Sequence, residues 1–188
     1  MMRTVLQVRR AGDWHLHTHV FWVVCFVFPV LAILARTGVA QQTAADSLTG
    51  SAVCTFDDGK QMSTRYKPAA AARSEEAVPG KVWAPGGLAM TLFAETDLTL
   101  GNTLVPAGAY TMYLLPSKKD WTLIVSRNVT IDSKYDQNQD LVRATMQTGE
   151  LSKPEAQLKV FFGHIGPKRC EINVDYGKSR AWIDFLQK

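Results

Sequence analysis

The chain has 188 residues and a formal net charge of +4, with 21 basic and 17 acidic side chains. Four of the basic residues, Arg3, Arg9, Arg10 and Arg36, lie in the first 40 positions beside a single acid, Asp13, so the remainder is close to neutral. The positive balance therefore belongs to the start of the chain, which excludes a nucleic-acid or membrane-surface partner argued from charge.

Residues 1–40 read as a helical signal segment. Arg3, Arg9 and Arg10 form a positive start, Val20 to Ala35 is an apolar run, and the small residues Gly38 and Ala40 precede Gln41-Gln42. That order is the pattern of a cleaved secretory leader. The apolar run is shorter than a spanning helix needs and Pro29 interrupts it, which favours removal over anchoring. Membrane contact is expected only through a leader that escapes cleavage. Cys25 sits inside the apolar run rather than after it, so a lipidated cysteine is not expected. His15, His17 and His19 leave with the leader, and no metal role is assigned to them.

Residues 41–52 are mostly polar and small and read as a flexible tether. Residues 53–188 then form one domain of ordinary size. Val53 to Phe56 and Gln61 to Tyr66 flank Asp57-Asp58-Gly59-Lys60, a hairpin pattern. Pro68 to Pro79 is an Ala-rich, charged loop. Leu98 and Leu100 share one face of a strand, and so do Tyr110, Met112 and Leu114, and Trp121, Leu123 and Val125. Asn128 to Asp140 is a long polar connection. Leu141 to Met146, Gln157 to His164, Cys170 to Asp175 and Ser179 to Phe185 supply four later strands. Ile172, Val174 and Tyr176 should pack, while Glu171, Asn173 and Asp175 should meet water. About nine short strands with regular turn signals predict an all-β fold, an antiparallel β-sandwich of jelly-roll or immunoglobulin-like type.

Gly80-Lys81-Val82-Trp83, the Thr-Asp-Leu-Thr-Leu run at 96–100, the Leu-Val-Pro-Ala-Gly-Ala-Tyr-Thr-Met run at 104–112 and the Asp-Trp-Thr-Leu-Ile run at 120–124 carry a resemblance. So do Thr64-Arg65-Tyr66-Lys67-Pro68 and Tyr176-Gly177-Lys178-Ser179-Arg180-Ala181. Together they resemble the exported bacterial proteins grouped as domain of unknown function 2911. The resemblance implies a bacterial, exported β domain and supplies no activity. Family members often follow the Trp with Arg and an amide-bearing stretch. Here Ala84-Pro85-Gly86-Gly87 follows Trp83, so those polar groups are missing.

Candidate chemistry is sparse. Asp136, Asn138 and Asp140 match the opening of a calcium loop, but Leu141 stands where its Gly belongs and Gln147 where its Glu belongs, so a solvated loop is expected. His164 is the one histidine after the leader. It stands without a nucleophile motif and is expected at a strand end facing solvent. Asn128-Val129-Thr130 matches a glycosylation sequon, which carries no weight in a bacterial protein. Tyr113 has the opposite parity to Tyr110, and Trp182 shares a face with Asp184, so both are expected at the surface and, with Trp83 and His164, are the candidate ligand contacts. Cys54 and Cys170 both have inward parity, which leaves either a disulfide or two separate buried thiols.

No catalytic set, metal site or cofactor is expected. The expected function is a non-catalytic exported module, periplasmic or secreted, that binds an envelope ligand or protein. The alternatives are a carbohydrate-binding module using exposed aromatics, and a hydrolase using His164.

Overall fold

The computed structural model describes residues 48–71 and 77–188. The leader, the tether before residue 48 and the centre of the Ala-rich loop lie outside the described residues. Nine strands follow in chain order: β1 (Gly50–Thr55), β2 (Gln61–Tyr66), β3 (Met90–Ala94), β4 (Leu98–Leu100), β5 (Thr103–Val105), β6 (Gly108–Leu115), β7 (Trp121–Ser126), β8 (Asp140–Gly166) and β9 (Arg169–Gln187). They form one antiparallel sheet in the order β1-β2-β3-β6-β7-β8-β9-β4-β5. The helical pieces among the described residues are two single 3-10 turns, Pro85–Gly87 and Gln137–Gln139. The fold is all-β, as the period-two pattern predicts.

The sheet folds over on itself, because strands far apart in its order share one core. Cys54 and Met62 of the first two strands belong to the same buried cluster as Leu98, Val105 and Phe185 near the other edge. The parity reading accounts for the lining: Leu98, Leu100, Met112, Leu114, Leu123 and Val125 are all fully buried. Each such side chain contributes about 1.5–3 kcal/mol on leaving water. The fold is also tied covalently. Cys54 of β1 and Cys170 of β9 form a disulfide with Cα atoms 6.3 Å apart, across 116 residues of sequence.

The four strands expected after Leu141 are two. β8 runs 27 residues and β9 runs 19, paired as one long bent hairpin from Gln147↔Trp182 to Gly166↔Arg169. The sequence breaks at Pro154 and Gly177 are absorbed as irregularities, with register shifts between Glu150 and Glu155 and between Glu155 and Lys159. Gly177 adopts φ 58°, a left-handed conformation costly for any residue with a Cβ. It bends β9 and switches the inward parity: Cys170, Ile172, Val174 and Tyr176 point in before it, Ala181 and Phe185 after it. The extra β8 residues pair instead with the chain beyond β2, where Leu158 N–H donates to Ala69 O at 2.7 Å and Ala71 N–H to Ala156 O at 2.9 Å.

One expectation for β9 is corrected. Asn173 and Asp175 do not meet water; both are buried, Asp175 completely. The bend at Gly177 lets Arg180 fold back onto Asp175, and the Arg180 guanidinium lies 5.4 Å from the Phe161 ring centre. Strand parity alone cannot anticipate this cover.

Candidate functional site

The segments that carry the family resemblance meet in the interior. Trp83 makes an isolated β-bridge to Leu114, its N–H donating to Leu114 O at 2.7 Å and its O accepting from Leu114 N–H at 3.0 Å. Its ring lies 6.3 Å from Trp121, edge to face, and 4.8 Å from Tyr176. Tyr176 donates its hydroxyl to Ala70 O at 3.1 Å, and Lys67 Nζ donates to Gly86 O at 3.0 Å. Edge-to-face aromatic packing of this kind adds about 0.5–1.5 kcal/mol beyond the buried area. Trp83 therefore serves the core and is not a surface contact; it is 4% exposed, and its Nε1 is buried without a hydrogen-bond partner among the described residues.

Tyr113 is likewise buried, contrary to the expectation of surface exposure. Its parity is outward, but a second small core covers that side of the sheet, where Tyr113 packs with Ala89 and Ile124. The long polar connection supplies the lid: Ala89 N–H donates to Ile131 O at 2.9 Å, and Tyr135 sits edge-on to Tyr113 at 5.1 Å. Tyr135 donates its hydroxyl to Asp140 Oδ2 at 2.6 Å, and Arg143 Nε donates to the same oxygen at 2.7 Å. Burial first, and then the bond to Asp140, push the Tyr135 phenol up from its ordinary value, so it stays protonated and acts as a donor. The calcium-like residues do not converge. Asp136 accepts from the Asn138 backbone and side chain at 3.0 Å, while Asp140 is engaged by Arg143 and Tyr135. No three metal-binding side chains are grouped among the described residues.

The sequon is closed off as well. Asn128 Nδ2 donates to Ser133 Oγ at 2.8 Å, and its Oδ1 accepts from Thr130 N–H at 2.9 Å, a local turn that occupies the amide.

The disulfide marks one end of the domain, and several segments distant in sequence meet there. The β8–β9 turn is held to the β1–β2 turn by Asp57 N–H donating to Pro167 O at 3.1 Å. Gln187 N–H donates to Lys168 O at 2.8 Å, tying the end of β9 to the start of the same strand. Gln187 Nε2 donates to Asp58 Oδ2 at 2.7 Å. A backbone bond from Lys60, opposed next by desolvation and then assisted by the Gln187 side chain and the Lys60 charge, holds the exposed Asp58 carboxyl below its ordinary value. His164 lies on this rim, 45% exposed, with Nε2 3.4 Å from Asp57 Oδ1. No hydroxyl or thiol among the described residues hydrogen-bonds it. The geometry supports a polar contact between the end of β8 and the β1–β2 turn, at exposed positions where such contacts are worth about 0–1 kcal/mol.

These ties frame an open concavity of about 410 Å3 lined by Ile165, Pro167, Lys168, Arg169 and Leu186. Ile165 is 40% exposed and Leu186 44%. The lining carries two cations and no acid. Sequence reasoning missed this place. Gly166-Pro167 announces a turn, but Leu186 joins the lining from the far end of β9 and Asp57 bonds to Pro167 from the β1–β2 turn, and no local pattern announces either.

Trp182 is the candidate aromatic that the structure leaves partly open. It points outward from β9 in the row of Arg180, Asp184 and Leu186, opposite Gln147 of β8. A Cβ at Gly149 would lie 3.3 Å from its ring, so the indole packs close beside β8 backbone that a glycine leaves clear. Asp184, one step along the same row, is paired with Arg169 of the concavity at 3.7 Å. The structure thus separates the four candidates: Trp83 and Tyr113 are interior, and His164 and Trp182 are at the surface.

A family model described as a protein of unknown function, DUF2911, matches residues 53–185. No curated protein matches the chain, and no solved structure does. The chain belongs to the DUF2911 family, a group to which no catalytic activity is attached.

Proposed function

We propose that this DUF2911 protein is an exported, non-catalytic β-sandwich that binds a ligand or protein of the bacterial cell envelope through the concavity at its disulfide-bonded end. The observation that carries this reading is the concavity itself. It has the volume of a small-ligand site, apolar walls and a few polar groups at its edge, the usual make-up of a binding pocket. It is built on bonded strands and turns, so little ordering is needed when a partner arrives. The leader and the disulfide support export, because disulfides persist in oxidising compartments. The His164–Asp57 pair fits a rim tie better than a hydrolytic pair, since no nucleophile stands in hydrogen-bond reach of it among the described residues.

The test uses the full chain expressed in a bacterial host. Protein from the envelope fraction should begin near Gln41 and should sediment with washed envelopes. Leu186→Asp and Ile165→Asp should weaken sedimentation by about tenfold, equivalent to about 1.4 kcal/mol. A wild-type chain that stays in solution, or variants that sediment like it, would contradict the proposal.

A further inference from the structure

We infer that the outward row of β9 from Trp182 to Leu186, with the concavity at its end, is a binding strip for a glycan chain of pyranose units. The inference rests on the binding-module reading and names the chemical class of its ligand. Its first element is the Trp182 platform. Gly149 leaves the β8 backbone bare beside the indole, whose benzo edge would lie 3.3 Å from a Cβ there. The half-buried ring is thus held close to the strand and keeps part of its apolar surface open to solvent. The C–H face of a pyranose stacks on such a surface, and aromatic side chains give this contact at small entropic cost.

The second element is the Arg169–Asp184 pair. At 3.7 Å the contact is too long for a strong hydrogen bond, and both side chains are open to water, 48% and 38% exposed. A guanidinium has five donors and a carboxylate about four acceptor sites, so nearly all their capacity is unfilled. Neighbouring hydroxyls on a sugar ring are donor and acceptor at once and match such a pair. The third element is the concavity, whose Ile165 and Leu186 walls accept a methyl group or a second ring face. Residues 182 and 186 lie about 13 Å apart along a strand, room for more than one ring.

An anionic lipid surface is the competing ligand for the two lining cations, Lys168 and Arg169, and the experiment below separates it from a glycan.

The experiment titrates chitotetraose and cellotetraose into protein purified after expression of the full chain, followed by calorimetry. Binding of either oligosaccharide, weakened tenfold or more by both Trp182→Ala and Asp184→Asn, supports the inference. Preference for chitotetraose assigns the concavity to an acetamido methyl; equal binding assigns recognition to the pyranose ring. Asp184→Asn is at the surface and keeps the test open should Trp182→Ala fail to fold. Absence of binding to both sugars overturns the inference, as does binding that neither variant weakens, or binding to phosphatidylglycerol vesicles in place of either sugar. If envelope sedimentation persists while both sugars fail, the glycan chemistry falls and the binding-module reading stands.

Discussion

Arg180 grips Asp175 with two nitrogens, Nε to Oδ1 and Nη2 to Oδ2, each at 2.6 Å. The carboxylate is 1% exposed and the guanidinium side chain 40% exposed, so the pair caps an outer face of β9 that would otherwise hold a buried, unpaired charge. The bond to Asp175 raises the Arg180 pKa above its ordinary value. Removing the cation strands the anion. Arg180→Ala should lower the unfolding free energy by about 1–3 kcal/mol, the cost of leaving a buried acceptor without its partners, kept from a larger value by the half-exposed position of the guanidinium. Arg180→Lys should recover only part of it, because a point charge cannot make both bonds. Urea denaturation measures both. An Arg180→Ala midpoint equal to wild type would refute this role.

The bend that lets Arg180 reach Asp175 depends on Gly177. Gly177→Ala places a Cβ on a residue with φ 58° and should cost about 1–2 kcal/mol. Nothing lies within 4 Å of the added carbon, so the cost is conformational and not steric. A thermal melt unchanged by this substitution would show that the bend does not need a left-handed residue.

These two residues also show how much the sequence discloses. The inward faces of β4, β6 and β7 were legible because period-two alternation records which side of a half-buried strand faces the core. The β1–β2 hairpin was legible from Asp-Gly between two alternating runs. Gly177 was visible as a break, yet a glycine reads alike whether it ends a strand or bends one. Asp175 and Tyr113 were misplaced, and the burial of Trp83 was not legible, for a shared reason. What covers them comes from elsewhere in the chain: Arg180 beyond a bend, the Tyr135 loop, and the Trp121–Tyr176 pair. Trp182 is half-buried where the sequence suggested exposure, and its packing beside Gly149 is a cross-strand contact invisible without the register.

The Cys54–Cys170 bond closes a loop of more than a hundred residues. The chain-entropy model gives it about 4–5 kcal/mol of stabilisation. The envelope-fraction protein, with its leader removed, should show no free thiol when unfolded without reductant, and two after reduction. The double variant Cys54→Ala/Cys170→Ala should unfold at clearly lower urea and lose the response to reductant. Two free thiols in the unreduced protein would contradict the bond.

Asp58 makes one part of the stability depend on pH. Its carboxyl is held below 3.8 in the folded chain, mainly by the Lys60 backbone bond. A carboxyl with a lowered folded pKa stabilises the protein above its unfolded value and loses that contribution as pH falls through the folded value. Wild type should therefore be more stable than Asp58→Asn near neutral pH, with the difference shrinking as the pH drops below 3.8. Denaturation curves of the two proteins across that range are the check. A constant difference would mean the Asp58 charge does not act on folding.

The central claim is that the disulfide-bonded end, and no other surface, meets the envelope partner. Hydrogen exchange of the protein with and without washed envelopes tests it most directly. The account predicts slowed exchange in residues 164–169 and 182–188 on binding. The main competing surface is the exposed row Val53–Ser63–Phe93, in register across β1, β2 and β3 on the opposite edge of the sheet order. Protection confined to that row, with residues 164–169 and 182–188 unchanged, would contradict the account.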